Sequence, residues 1–547
     1  MQARRENCGA SGSARFFGPG AHRPYTARVI GPVQRVPSWL PWVLTAIGAM
    51  GLLLPWLLSP VGSDERYHYA AAPVRMAENV FNVLPWTIND IEWRMAAGRI
   101  APVGVFVQHV IYVLGMQLAF STGVPLFVVH GIVKVLLLAA AVGSFRLLLS
   151  QLRRRDGGRL DPAVCGTAAL VFAALLVLGV TASSPHRNGW TTFIVLCIGG
   201  ISLMFLVGAA SLWALRSWPR WGAFGKALSG VGMLVVSVVV MLSYELHWAA
   251  VPFAVILLAL TGRAALPHRL ILIALLGGGW LAAVLWTRAL IAAVSRHSYA
   301  GLEVDLGGPV LKVIGLQLLN AVPGSGIPYA ARTAGDGLAT PRPFQGTGWV
   351  WGIALALGLV LLLRNRTLPA GDEVTADRHQ LVVLAAALAA SGFAAAVILS
   401  VSEQAHQIVR FPGATYRGTP WIWACSAGLL TVGLLILPRG DRSRRTVIVT
   451  VPAAFALLVG AFVWPSTVSA IRTQRMSSDY LIWEQAQAEL ITGSAEPLAV
   501  EHRCSLADEA IKSAGDSTYR RSYLKHYGAA FAHRWGRPWC KSSWLTK

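Results

Sequence analysis

The sequence predicts an all-α polytopic membrane protein of about eleven transmembrane helices, with a cytoplasmic amino terminus and an outer carboxyl terminus. Three observations predict this fold class. Of 547 residues, 55% are hydrophobic and only 13% are charged, whereas a soluble domain carries about 25% charged residues. Apolar runs of about 20 residues, the length of a helix across hydrocarbon, recur between residues 39 and 464. Lys and Arg fall in every second loop, which is the pattern of short cytoplasmic loops. Lipid admits only helices and closed barrels, and the short alternating segments of a barrel do not occur.

The predicted spans are 39–58, 124–149, 164–183, 190–215, 227–243, 248–262, 269–290, 348–363, 380–401, 420–437 and 446–464. The tail 1–38 is Gly-, Pro- and Arg-rich and reads as a disordered cytoplasmic segment before a retained anchor. The next basic groups are Arg153–Arg155 with Arg159, then Arg216, Arg220 and Lys226, then Arg263 and Arg269. Arg364, Arg366 and Arg378 follow, then Arg439, Arg442, Arg444 and Arg445. Each lies on the same side if the eleven spans are right. The formal net charge of +22 is thereby explained by topology, and a nucleic-acid partner is not required. Residues 102–120 are apolar enough to span. A span there would put Arg153–Arg155 outside, so the segment reads as an interfacial or re-entrant helix.

Three outer pieces remain: the first loop 59–123, the loop 295–347, and a polar segment 465–547 long enough for a small domain. Within that segment lie Cys504 and Cys540, the only cysteines that the topology puts in the oxidising compartment, so a bond between them is expected. No GxxxxGK[ST], paired CxxC or HExxH pattern is present.

Candidate chemistry gathers on the outer rim. Asp64 and Glu65 follow the first span. A carboxylate there can take a proton from an acceptor hydroxyl or ligate a divalent cation such as Mg or Mn. The alternative is a polar loop in which Ser63 or Asp64 caps a helix. Glu245 and His247 lie in a connection too short to leave the membrane boundary, where ionisable groups are costly and often functional. The alternative there is a solvated turn anchored by Trp248. His186, Arg187, Arg288, Arg410, Tyr416 and Arg417 also fall on the outer rim. Arginines there can hold a lipid phosphate bidentately, or simply snorkel. His130 and Lys134 share a face of the second span, with Lys134 expected about 15 Å below the outer surface.

The layout, with an acidic residue just past span one in Ser63-Asp64-Glu65-Arg66 and amphipathic segments at 71–99 and 102–120, resembles the GT-C superfamily of membrane glycosyltransferases. The resemblance implies sugar transfer from a polyprenyl-phosphate donor to an envelope glycan, lipid or protein acceptor outside the plasma membrane. It implies Asp64 as base or metal ligand, with Glu65, Glu245 and His247 as further catalytic candidates. A transporter or flippase of envelope precursors is the rival class, and a non-catalytic assembly scaffold is a third. A transporter would place paired charges deep in several spans and show interrupted spans in two halves.

Overall fold

A computed structural model describes residues 37–540, apart from 60, 62, 97, 155–156, 182–189, 191–192, 262–265, 295–305, 308–309, 323–324, 326–343, 345, 366–376, 411–416, 437–441, 477, 494–495 and 515–517. The described chain is helical, with an isolated bridge between Arg153 and Arg159. In chain order the helices are α1 (Leu40–Leu57), α2 (Ser63–Met76), α3 (Val83–Ala96), α4 (Pro102–Thr122), α5 (Leu126–Ser150), α6 (Pro162–Thr181), α7 (Ile194–Cys197), α8 (Gly199–Ser217), α9 (Ala223–Ser243), α10 (Ala250–Leu260), α11 (Leu266–Ile273) and α12 (Gly279–Val294). They continue as α13 (Val310–Asn320), α14 (Gly348–Asn365), α15 (Arg378–Ser400), α16 (Glu403–Ile408), α17 (Thr419–Ile436), α18 (Arg442–Leu458), α19 (Trp464–Met476), α20 (Ser478–Thr492), α21 (Pro497–Ala514) and α22 (Thr518–Trp535).

Among the described residues, ten helices are long and apolar enough to cross a membrane. Nine of them coincide with predicted spans, and the tenth is α4. The other two predicted spans appear as the shorter apolar helices Glu245–Leu260 and Gly348–Leu363. Basic loops gather at one end of the bundle. Arg153 N donates to Gln380 Oε1 at 2.9 Å, and Asp377 N to the Arg153 carbonyl at 2.9 Å. Arg216 reaches Gln151, and Arg269 donates to the Ala259 carbonyl. If this end faces the cytoplasm, a cysteine at Gly157 is labelled by an impermeant maleimide only after permeabilisation, and one at Ala532 is labelled from outside. External labelling at Gly157 would overturn the topology.

Helices pair closely where small residues remove side-chain bulk, as expected in lipid. A Cβ on Gly48 would come within 2.3 Å of the Leu355 backbone nitrogen, and one on Gly358 within 2.4 Å of Thr45 Oγ1. These contacts run α1 antiparallel to α14. Gly348 and Gly460 approach each other equally closely, with 2.5 Å from the added Cβ of either to the other's carbonyl oxygen. Pro55 sits inside α1 and has no N–H, so the carbonyl four residues earlier loses its helical donor. That carbonyl, Gly51 O, accepts the indole N–H of Trp464 at 3.2 Å. At the end of α1 the Trp56 carbonyl accepts the Ser59 backbone N–H at 3.1 Å. Ser59 Oγ (2.7 Å) and Lys134 Nζ (2.9 Å) donate to it as well.

This contact corrects the expected depth of Lys134. It lies level with Trp56–Ser59 at the end of α1, because α5 projects past that end into the layer of α2 and α4. Its charge is enclosed, with Nζ 4.8 Å from the Trp56 ring centroid and 2.9 Å from Ser59 Oγ.

A second core lies at the end away from the basic loops. Tyr69, Ala72, Met76, Tyr112, Met116 and Val129 share it with Leu490, Ala507, Leu524, Tyr527, Phe531 and Trp539. Residues of the first loop and of the carboxyl-terminal segment therefore fill one core, so the segment 465–547 is not cored by itself. Cys504 and Cys540 are joined, their Cα atoms 5.0 Å apart. Beside this link Arg503 is fully enclosed, donating to the Trp539 carbonyl (3.0 Å) and Glu489 (3.1 Å).

Helix α4 belongs to this layer. Its first turn abuts the Ser243 carbonyl and Leu196, and Gly115 faces Tyr69 and Val129. The named neighbours lie at one end of α9 and of α5, so α4 lies across the end of the bundle.

The layer carries a pH prediction. Burial, reinforced by His109, Arg94, Arg75 and His526, holds the His68 imidazole well below its ordinary value of 6.5. The unfolded chain then binds a proton that the folded chain refuses, so stability rises with pH within this window. Thermal stability is expected to be level above pH 6.5 and to fall as pH drops below it. His68→Gln should make that fall shallower, the buried His109, held down to about 4 by burial, supplying part of the rest, and an unchanged profile would exclude His68 as a contributor.

Candidate functional site

Arg99 follows Gly98, whose φ of +81° ends the α3 segment in the left-handed region that glycine tolerates. Its guanidinium turns into the bundle and grips Glu245 bidentately, Nε to Oε1 at 3.0 Å and Nη2 to Oε2 at 3.1 Å. Both side chains are about one-fifth exposed. Burial opposes the charge of Arg99, but the Glu245 carboxylate outweighs it, and its pKa lies above the ordinary value. The Arg99 guanidinium carbon is also 5.1 Å from the Tyr244 ring centroid. Tyr244 Oη accepts from Arg417 at 3.2 Å, and Arg417 stacks on Phe193 at 4.7 Å.

Phe193 has φ +52°, a strained conformation for a bulky residue. It turns the chain so that the next amide, Ile194 N–H, donates to Glu65 Oε1 at 3.1 Å. Glu65 is fully enclosed. It lies within electrostatic reach of Lys134, and Glu65, Arg99 and Arg417 all lie around Cys197. The result is a cluster of two carboxylates, Glu65 and Glu245, with the cations Arg99, Arg417 and Lys134, at the end of the bundle beneath α2 and α4. Thr87, Ile91, Arg94, Arg99, Pro102 and Val105 line a shallow cleft beside it.

Of the residues singled out from sequence, Glu65, Glu245 and Arg417 come together here. His247 is next in chain but turned away. Its Nε2 lies 2.6 Å from the Leu196 carbonyl, its ring stacks on Trp421, and a Cβ on Gly200 would strike it. It packs α8 against α17. Arg288 and Arg410 are exposed at the surface. His186, Arg187, Tyr416 and the Asp64 side chain lie outside the described residues; the Asp64 backbone belongs to the first turn of α2. Sequence reading missed Arg99 and the hydroxyl of Tyr244. A lone Arg after a Gly carries no signal of a partner 146 positions away.

Among the described residues no three of His, Cys, Asp and Glu converge to hold a metal ion. Glu65 accepts a hydrogen bond from the Ile194 backbone amide. Comparison with protein-family models, with curated proteins and with solved structures finds no match for this chain.

Proposed function

We propose that this chain is a glycosyltransferase that moves a sugar from a polyprenyl-phosphate donor to an envelope glycan, lipid or protein acceptor at the outer face of the plasma membrane. The observation that carries the reading is the convergence of Arg99 and Arg417 with two carboxylates at one end of a polytopic bundle, beneath a layer of helices. Transfer from a lipid phosphate develops negative charge on the departing phosphate. Guanidinium groups already held in place stabilise such charge without reorganising. Arg99 is held by Glu245 and Arg417 by Tyr244 and Phe193. Asp64 serves as the base that takes the proton of the acceptor hydroxyl. Glu65, one residue on and about 100° around the helix, anchors α2 to Ile194 and sets the rotation of that helix.

The test is transfer of labelled sugar by the purified protein in liposomes, with a panel of polyprenyl-phosphate sugars as donors and an envelope extract as acceptor. Label is expected in the acceptor. If no donor is used while the same vesicles translocate lipid-linked precursors, the protein is a flippase.

A further inference from the structure

Three arginines converge at the end of the bundle that carries the basic loops. Between α5 and α6 the chain pairs with itself around Gly157, whose φ of +88° lies in the left-handed region that glycine tolerates. Arg154 N donates to the Gly158 carbonyl at 2.8 Å, and Leu160 N to the Leu152 carbonyl at 3.3 Å. These bonds flank Arg153 and Arg159 and make them the non-hydrogen-bonded pair of an antiparallel bridge. Residues so paired have Cα atoms about 4.5 Å apart and side chains on one face. Like charges placed directly opposite are unfavourable. The third arginine is Arg216, in the last turn of α8. Its Nη1 lies 3.5 Å from Gln151 Oε1, and both bridge arginines are within electrostatic reach of it.

Among the described residues no carboxylate pairs with any of the three. The aspartates beside them cap helices, Asp161 Oδ1 accepting from Ala163 N at 2.7 Å and Asp377 Oδ1 from His379 N at 3.1 Å. Even with Asp156 counted, which lies outside the described residues, 151–161 carries four arginines against two aspartates. A second observation is independent of this charge count. Arg216 Nη2 is enclosed and meets no acceptor among the described residues, and a buried donor left so is costly. Depth narrows the chemistry. α5 ends at Ser150 and α8 at Ser217, both in segments long and apolar enough to cross the membrane. The guanidinium groups therefore lie at a membrane boundary, the level of lipid phosphates. Trp213, one turn before Arg216, is 54% exposed and meets Trp221 edge-on at 5.0 Å. An exposed Trp at a span end sits among headgroups, so lipid reaches the turn of α8 that carries Arg216.

We infer that a phosphate group binds between Arg153, Arg159 and Arg216. Guanidinium groups match phosphate oxygens with paired N–H donors. A phosphate there supplies the missing negative charge and an acceptor for Arg216. Its source is the headgroup of an anionic lipid or phosphate in water, and basic pockets between transmembrane helices hold such headgroups. The site lies at the other end of the bundle from Arg99 and Glu245. The inference stands whichever reaction the protein performs and whichever face this end takes.

The test is binding by the delipidated full chain in neutral detergent. Two radiolabelled probes are used: inorganic phosphate, followed by equilibrium dialysis, and phosphatidylglycerol in mixed micelles, followed by retention on the immobilised protein. The variants are Arg216→Gln and Arg159→Gln, with Arg220→Gln as control, since Arg220 is an exposed charge at the same end. Wild type and Arg220→Gln are expected to bind at least one probe alike. Arg216→Gln and Arg159→Gln are each expected to bind it about tenfold more weakly, the effect of losing one charge-assisted hydrogen bond. Retention of phosphatidylglycerol alone identifies a lipid headgroup as the ligand, and binding of inorganic phosphate identifies a site open to phosphate in water. Binding of neither probe overturns the inference. An equal loss in Arg220→Gln would mark a diffuse charge effect and overturn it too. Binding that Arg216→Gln and Arg159→Gln both leave intact belongs to Arg99 and Arg417 at the other end, and refutes the site. Arg159 is exposed, so Arg159→Gln decides the question if Arg216→Gln does not fold.

Discussion

Asp64→Asn is expected to slow sugar transfer by about 10²–10⁴-fold, the usual consequence of losing a general base, while leaving the fold intact. Asn preserves the shape of the side chain and removes both its charge and its basicity. A residue that only capped α2 would behave differently, since losing a cap costs about 1 kcal/mol of stability and nothing in rate. The neighbouring substitution separates the two carboxylates. Glu65 is enclosed, bonded to Ile194 N–H and close to Lys134. Glu65→Ala leaves the enclosed Ile194 N–H without its acceptor, and stranding a buried donor costs about 1–3 kcal/mol. Glu65→Ala should therefore lower yield and thermal midpoint, and Asp64→Asn should lower turnover at an unchanged midpoint. A folded Asp64→Asn protein that transfers at the wild-type rate would pass the role of base to Glu65 or Glu245.

Arg99→Ala is expected to destabilise the protein by about 3 kcal/mol, because it strands Glu245 at the membrane boundary. The pair is bidentate and only one-fifth exposed, so solvent screens little of its attraction. The informative experiment is a double-mutant cycle on thermal unfolding in detergent. Glu245→Gln alone leaves an unpaired guanidinium, and the double variant removes both charges. The double variant is expected to recover most of the loss caused by Arg99→Ala. If the two single losses simply add, the pair is not coupled and Arg99 acts elsewhere. In the transfer assay the folded double variant should remain slow, since the leaving phosphate has lost a cation that restored stability does not replace.

Reading the chain in order located eleven apolar helices of the bundle, because lipid imposes a length and a composition that each segment must meet by itself, and it missed the short apolar helix Val310–Asn320, which it left in an outer loop. The eleven predicted spans all recur as helices, with boundaries shifted by a few residues where Pro or Gly closes a turn. The site was legible only in part. Glu65, Glu245 and Arg417 stood out as ionisable groups where such groups are costly. His247 stood out for the same reason, yet it is a packing residue bonded to Leu196. A sequence marks that a polar group is buried and does not say what satisfies it.

Length, hydropathy and the placement of arginines thus determined by themselves that this is a polytopic helical membrane protein, and where its basic loops fall. Each of those properties is local, a matter of one segment and its solvent. Tertiary structure decided the rest. It paired Arg99 with Glu245 across 146 positions, raised Lys134 to the end of α1, and gave α2 and α4 a common core with the carboxyl-terminal helices. It also laid α4 across the bundle end although the helix is long enough to span. These outcomes depend on which carbonyls lose their donors, as at Pro55, and on which glycines let helices approach. They follow from contacts between distant segments, which no window along the chain contains.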